Sequence, residues 1–341
     1  MRKVVTFGEI LLRFKPKDGV RMLQAESLQI NYGGSEANVA TSLALLGDEV
    51  ALVSKVPENV LGQAALIRFR GYGVDVTSVK YGGKRIGSYY FEKGASVRGT
   101  KVTYDRAGSS FATSLASEYD WQQLLKDAGY FYFSGITAAL SSELQATLLI
   151  AVKYCRQNNI EVVCDLNYRE KLWSATQAKT FMEQIMPYVT ICIANDEDFE
   201  QSLGIKAFDG DMTRGIEQKA DFILGMKEIV ARYPNVRIVA SVLRNIHSVE
   251  SSTWTALLLK DGHVYESPQY QMHVLEGVAG GDAFGAGLVH GLVNGYSSQK
   301  CIDFAIAASV TKLTIVGDLN VATEADINGV MKSNTSLRVA R

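Results

Sequence analysis

Short β-branched and aromatic runs alternate along this chain with longer stretches whose apolar positions recur every three or four residues. Val4–Phe7 is a run of the first kind, closed by Gly8, and reads as a strand. Glu36–Leu46 is of the second kind. Ala37, Ala40, Leu43, Ala44 and Leu46 fall on helical spacing, and Gly47 stands where a helix end favours glycine. Val50–Ser54 reads as the next strand and Ala64–Arg70 as part of a second helix. From Tyr130 onward the rhythm repeats. Strands are predicted over Tyr130–Phe133, Glu161–Asp165, Thr190–Ala194 and Val236–Val242. Helices are predicted over Ser141–Gln157, Thr176–Ile185 and most of Asp211–Arg232. This alternation predicts an α/β fold in which a mostly parallel sheet is covered by helices on both faces. Trp254–Leu259 and Val264–Ser267, joined by Lys260–Asp261–Gly262, read as a hairpin. Helices over Asp282–Asn294, Ser298–Leu313 and Glu324–Met331 end the pattern.

Two regions break the rhythm. Residues 11–32 are mixed and polar. Within residues 79–113, Ser88–Glu92 and Lys101–Tyr104 alternate like exposed strands with no helix between them. Together they predict a small antiparallel sheet outside the main body, so the expectation is a single domain over residues 1–341 with a discontinuous β-lid. Exposed sheet edges are commonly covered by another subunit, and a homo-oligomer, dimer or larger, is expected.

Composition narrows the partners. The chain has 341 residues, 47% of them hydrophobic, with 35 basic against 36 acidic side chains. No block of one sign stands out, which argues against nucleic acid or an anionic membrane surface and for a small-molecule substrate. The four cysteines, Cys155, Cys164, Cys192 and Cys301, form no C-x-x-C pair and suggest neither a zinc site nor a disulfide framework. The N-terminal MRKVVTFGEI lacks the apolar core of a signal peptide. A cytoplasmic location is the resulting expectation. His247, His263, His273 and His290 have no metal-ligand spacing and read as surface or packing residues.

Chemistry concentrates in two glycine turns. In EGVAGGDAFGAGL, residues 276–288, Gly280 and Gly281 lie between a strand-like stretch and a helix, and Asp282 follows at once. Glycines let backbone N–H groups converge at a helix N-terminus, an arrangement that holds anions. A carboxylate there either caps the helix or takes a proton from a hydroxyl attacking a bound phosphoryl group. Asn31–Asn38, NYGGSEAN, is a second Gly-Gly turn entering a helix. Asn38 there offers both a donor and an acceptor, which suits a polyol. An ordinary capped helix start is the other reading. A P-loop and a dinucleotide-binding glycine motif are both missing from the sequence, so neither a P-loop ATPase nor a nicotinamide enzyme is indicated.

The two turns taken together, YGGSEANVA at 32–40 and G-G-D-A-F at 280–284, resemble the two signatures of the ribokinase-like (PfkB) carbohydrate kinases. The similarity runs over essentially the whole chain. It is supported by GEILLRFKP at 8–16, YDRAGS at 104–109, DLNYREKLW at 165–173, NDED at 195–198, VLRNIHSVE at 242–250 and IVGDLN at 315–320. These stretches look most like those of members acting on 2-keto-3-deoxygluconate. The resemblance implies a three-layer sandwich with a β-sheet lid over the sugar, and ATP-dependent phosphorylation of the sugar's terminal hydroxyl with Mg2+. It makes Asp282 the general base and the backbone of Ala279, Gly280 and Gly281 the anion hole. Gly34, Asn38, Tyr89, Tyr104, Arg106, Arg169 and Asp318 would meet the sugar. Asn167, Asn195, Ser241 and Arg244 would meet the nucleotide, with Asn195 and Asp198 organising magnesium, usually through water.

Two arginines in separate matched segments suit an acidic sugar, because a guanidinium holds a carboxylate through paired hydrogen bonds. The plainer reading pairs Arg106 with Asp105. Fructose or another neutral sugar as acceptor, and a non-catalytic sugar-binding regulator on the same fold, are the alternatives. Four residues depart from the family pattern: Glu276, Gly277, Ala279 and Asp198. Ala279 adds a methyl group at an anion-hole position, strained if its φ is positive. Asp198 replaces the usual Glu. Glu276 replaces an Asp near the monovalent-cation site of some members, which leaves a monovalent cation open.

Overall fold

The computed structural model describes residues 2–332. In chain order its strands are β1 Lys3–Phe7, β2 Leu11–Lys15, β3 Gln29–Gly33, β4 Val50–Val53, β5 Lys55–Val56, β6 Lys80–Tyr81, β7 Gly87–Glu92 and β8 Lys101–Asp105. They continue with β9 Ala128–Ser134, β10 Glu161–Asp165, β11 Ile191–Ile193, β12 Ile238–Ile246, β13 Ser251–Lys260, β14 His263–Glu266 and β15 Tyr270–His273. The main sheet has the order β14-β13-β12-β11-β10-β9-β1-β4, with β15 also paired to β13. Every pairing from β4 to β12 is parallel; β13 and its partners run antiparallel.

The run Tyr130-Phe131-Tyr132-Phe133 shows why this sheet lies in the middle. Successive side chains leave a strand on opposite faces. Tyr130 and Tyr132 enter one buried cluster and Phe131 and Phe133 the other. Both faces therefore need covering. The helix Ser142–Gln157 covers one face with Leu144, Leu148, Ala151 and Val152, and the helices Ser35–Leu45 and Gly280–Val293 cover the other. Each such large side chain contributes roughly 1.5–3 kcal/mol by leaving water.

The second sheet is the lid, in the order β3-β2-β7-β8. It is not wholly antiparallel as expected. β2 and β7 run parallel, while β2–β3 and β7–β8 are antiparallel. The cause is the long path between β2 and β7, which passes through the main body and returns in the same direction; parallel neighbours need such a crossover. β6 lies within the expected lid region but pairs with β5 instead. Leu11, Tyr89 and Phe91 form the lid's own small core, with Val278 of the main body packed against it.

Two further expectations change. The helix expected from Asp211 begins only at Lys219, because Asp211 and Asp209 hold the preceding residues in turns through Thr213 and Arg214. The stretch Ser241–Ile246, which holds two of the residues expected at the nucleotide, is the end of β12. The four cysteines are buried and free, as packing residues. Among the described residues no helix is long and apolar enough to cross a membrane.

Candidate active site

Two cavities meet where the lid overhangs the C-terminal ends of the central strands. The smaller, about 170 Å³, lies between the lid and the start of the helix Ser35–Leu45. The larger, about 1010 Å³, runs along the ends of β10 to β12. Both are walled by Asn167, Arg169, Val278, Ala279 and Gly281. Asp282 faces only the smaller one; Asp165 and Asp198 face only the larger. The glycine turn thus stands between the two cavities.

The turn is built for an anion. The helix Gly280–Val293 starts after Ala279, whose side chain supplies no cap. The first-turn N–H groups have no intrahelical acceptor. A Cβ added to Gly281 would meet no atom within 4 Å, and Gly281 lines both cavities, so a side chain there would fill the space an anion needs. Ala279 has φ 59° and ψ 18°, a left-handed conformation that costs a non-glycine residue about 1 kcal/mol or more.

Asp282 does not cap its helix. Its two oxygens accept from Ser35 Oγ and Asn38 Nδ2, both at 2.7 Å. Burial raises its pKa above the ordinary carboxylate value, and those two hydrogen bonds oppose the rise. Asn38, expected on the sugar, spends its donor on the carboxylate. Its Oδ1 has no partner and remains for a ligand hydroxyl. Gly34 allows this approach. Its φ is 129°, and a Cβ there would stand 2.0 Å from the Glu9 carbonyl oxygen. Ser35 was not foreseen, although it sits inside the quoted YGGSEAN stretch. Glu36 also lines the smaller cavity, but its buried carboxylate is engaged, accepting from Ser134 and Thr137.

Tyr89, Tyr104, Arg106 and Arg169 all line the smaller cavity, with Asp318. Arg106 does not pair with Asp105, which bonds Arg85 instead. Its Nε donates to buried Glu9 at 2.8 Å and one terminal nitrogen donates to the same oxygen. Ser109 Oγ also donates to Glu9. Glu9 is a second residue missed from sequence; only folding brings it to Arg106, 97 positions away. Arg106 lies 5.6 Å from the Tyr104 ring centre. Tyr89 gives its hydroxyl to Asp318. Arg169 is exposed and faces both cavities, one terminal nitrogen donating to the Tyr168 carbonyl.

In the larger cavity Asp198 accepts from the Tyr168 and Asn195 amides at 2.7 and 2.9 Å. Asn195 Oδ1 accepts from the Val242 amide. These side chains fasten β11 to its neighbours as well as facing the cavity. Burial pushes the Asp198 carboxyl up to about 6. Asp165, not foreseen, is buried beside them. Burial first, then the charges of Asp198 and Asp282, push its pKa well above the usual range. Its Oδ1 and Asn167 Oδ1 are buried without partners. Such oxygens are the hard donors that magnesium takes, directly or through water, so the residues fit a magnesium–nucleotide complex. Arg244 lines the cavity, bonded to Asp196 at 2.5 Å and stacked on Trp254. Ser241 does not line it. It is fully buried within β12, because the stretch continues the sheet.

Glu276 does not fit a monovalent cation. Its buried carboxylate accepts from Arg13, Lys15 and the Gly317 amide. Burial alone would raise its pKa, but the two cations outweigh that and hold it below the usual value. The surrounding groups are donors, whereas a cation needs acceptors.

Comparison with known proteins agrees with this geometry. The family model described as "pfkB family carbohydrate kinase" matches residues 1–324. The 2-dehydro-3-deoxygalactonokinase of Haloferax volcanii is 31% identical over 331 residues, covering 97% of this chain and 96% of the relative. The crystal structure of 2-dehydro-3-deoxygluconokinase from Thermotoga maritima superposes with a TM-score of 0.92 at 39% identity, covering 97% of this chain and 99% of that one. A PfkB family carbohydrate kinase from Listeria grayi gives 0.90 at 31% identity, covering 97% and 99%. Two cavities meeting at a glycine turn, in a fold shared over this length, leave one assignment: the chain belongs to the pfkB family of carbohydrate kinases.

Proposed function

We propose that this sugar kinase phosphorylates the terminal hydroxyl of 2-keto-3-deoxygluconate at the expense of ATP. The observation that carries the reading is the placement of Asp282. It is a buried carboxylate in the wall of the smaller cavity, just after a turn whose residues Ala279 and Gly281 line both cavities. The sugar's terminal oxygen would attack the γ-phosphorus while its proton passes to Asp282. The bond from that phosphorus to the β-phosphate oxygen breaks, and ADP leaves. The Ala279–Gly281 amides would hold the negative charge on the transferring group, in the place where such donors act most strongly. Ser35 and Asn38 hold the base in line.

Asp165, Asn167 and the Asn195–Asp198 turn would hold magnesium, partly through water. Magnesium, when bound, neutralises charge on the nucleotide phosphates. Arg106 and Arg169 support an acidic acceptor. The charges of Glu9 and Asp318 are already matched by Arg106 and Arg13, so Arg169 is the cation left for the sugar's carboxylate, with the remaining terminal nitrogen of Arg106 on the wall of the same cavity. Both named relatives act on 2-keto-3-deoxy sugar acids that differ in hydroxyl stereochemistry. The higher identity to the gluconate kinase favours that epimer.

A coupled ADP-release assay tests the acceptor. With Mg-ATP we expect turnover on 2-keto-3-deoxygluconate, less on its galactonate epimer, and little on fructose or ribose. Turnover on fructose with none on the keto-deoxy acids would reject the acidic acceptor and keep the kinase.

A further inference from the structure

Behind the glycine turn lies a buried ionic cluster that the chemistry above does not use. Arg13, in lid strand β2, is fully buried. One terminal nitrogen donates to Asp318 at 3.0 Å and the other to Glu276. Lys15, on the same face of β2, donates to Glu276 at 2.5 Å. The guanidinium lies 4.2 Å from the Phe91 ring centre. Lys312 donates to the Ile315 carbonyl at 3.0 Å. Burial pushes the Lys312 ammonium down to about 8, and the charges of Asp318 and Glu276 oppose the fall.

The fork of Arg13 therefore joins three segments distant in sequence. They are the lid strand, the residue three positions before Ala279, and the aspartate on the sugar-cavity wall. Buried ion pairs contribute little net stability, since desolvating each ion costs several kcal/mol. They do fix geometry, because a planar fork accepts two carboxylates in one arrangement only. Placement matters here: a shift of about 1 Å in a reacting group can cost roughly 100-fold in rate.

We propose that Arg13 is a positioning residue for phosphoryl transfer, tying the Glu276–Gly281 turn and Asp318 to lid strand β2 so that anion hole and sugar wall are set by one side chain. The inference rests on the kinase reading above for its effect on rate, but not for its structural content.

The test uses a charge-balanced pair of substitutions. The cluster holds Arg13, Lys15 and Lys312 against Asp18, Glu276 and Asp318. In R13M/E276Q one charge of each sign is removed, Lys15 keeps Asp18 and Asp318 keeps the Tyr89 hydroxyl, so the net charge of the cluster is unchanged and the melting temperature reports how far loss of the Arg13–Asp318 pair weakens the fold. We expect kcat on the best acceptor to fall at least about tenfold, with KM for ATP within about threefold. Amides of residues 276–282 should exchange hydrogen faster than in the wild type. Arg13→Lys keeps the charge but not the fork, and should give intermediate values of kcat and exchange. Wild-type kcat, or unchanged exchange, in R13M/E276Q would overturn the proposal. If that variant does not fold, Arg13→Lys decides alone: wild-type kcat and exchange there overturn it, and lowered kcat with faster exchange supports it. If the wild type turns over no acceptor tried, the kinase reading fails, and the exchange comparison still decides the tie.

Discussion

Asp282→Asn is expected to lose about 10²–10⁴-fold in kcat, the range a general base supplies, while binding of the sugar changes little. Asparagine keeps an acceptor for Ser35. Asn38 can rotate its amide so that its free Oδ1 accepts from the new side chain. The variant should melt no lower than the wild type, because it removes a charge that burial disfavours. Isothermal titration with the sugar, beside single-turnover kinetics, separates the two effects. Near-normal turnover would remove Asp282 as base. The same carboxylate sets a pH dependence. Burial holds its pKa in the fold above the ordinary aspartate range, so the acid limb of kcat/KM should also lie above that range. Stability has the opposite sense. A raised carboxylate favours the fold while protonated, and that contribution is lost as pH rises through the raised value.

The second large effect concerns Arg106. Arg106→Ala alone leaves Glu9 buried and unpaired, a change that costs roughly 3–5 kcal/mol of stability and confuses any kinetic result. The pair R106A/E9A removes both charges. In that variant kcat/KM for the keto-deoxy sugar acid should fall about 100-fold, in line with the loss of a charged hydrogen bond worth about 1.5–3 kcal/mol. Turnover of neutral sugars, low in the wild type, should not fall with it. Equal losses on both kinds of acceptor would assign the Arg106–Glu9 pair to holding the lid rather than to reading a carboxylate.

Much of the fold was legible because it is local. The tyrosine and phenylalanine run of β9 announces a strand buried on both faces, and Gly47 marks a helix end with φ 89°. The hairpin turn at Lys260–Asp261–Gly262 reads as it folds. What was not legible depends on pairings across the chain. The parallel contact of β2 with β7 follows from a crossover, not from either strand's pattern. Ser241 was expected at the nucleotide by similarity but lies in the sheet interior, in register with Leu257 and fully buried.

The candidate site shows the same division. Asp282 and the glycines stand out because their types and spacing carry the chemistry. The role of Asn38 changes from sugar contact to partner of the base because Asp282, 244 residues away, arrives beside it. Glu9, Arg13, Lys15 and Asp165 lie in stretches that match the family, but nothing in one dimension gives them a partner or a role. Each is a charge whose burial makes sense only beside a partner brought by the fold.

The most direct test of the account is the identity of the product. The wild-type enzyme would be incubated with Mg-ATP and 2-keto-3-deoxygluconate, and the phosphorylated sugar analysed by ³¹P–¹H correlation NMR. One new phosphate monoester is expected, coupled to the two protons of the terminal carbon, in amount equal to the ADP formed. A phosphate on a ring or chain secondary oxygen, or ADP formed with no phosphorylated sugar, would contradict this reading.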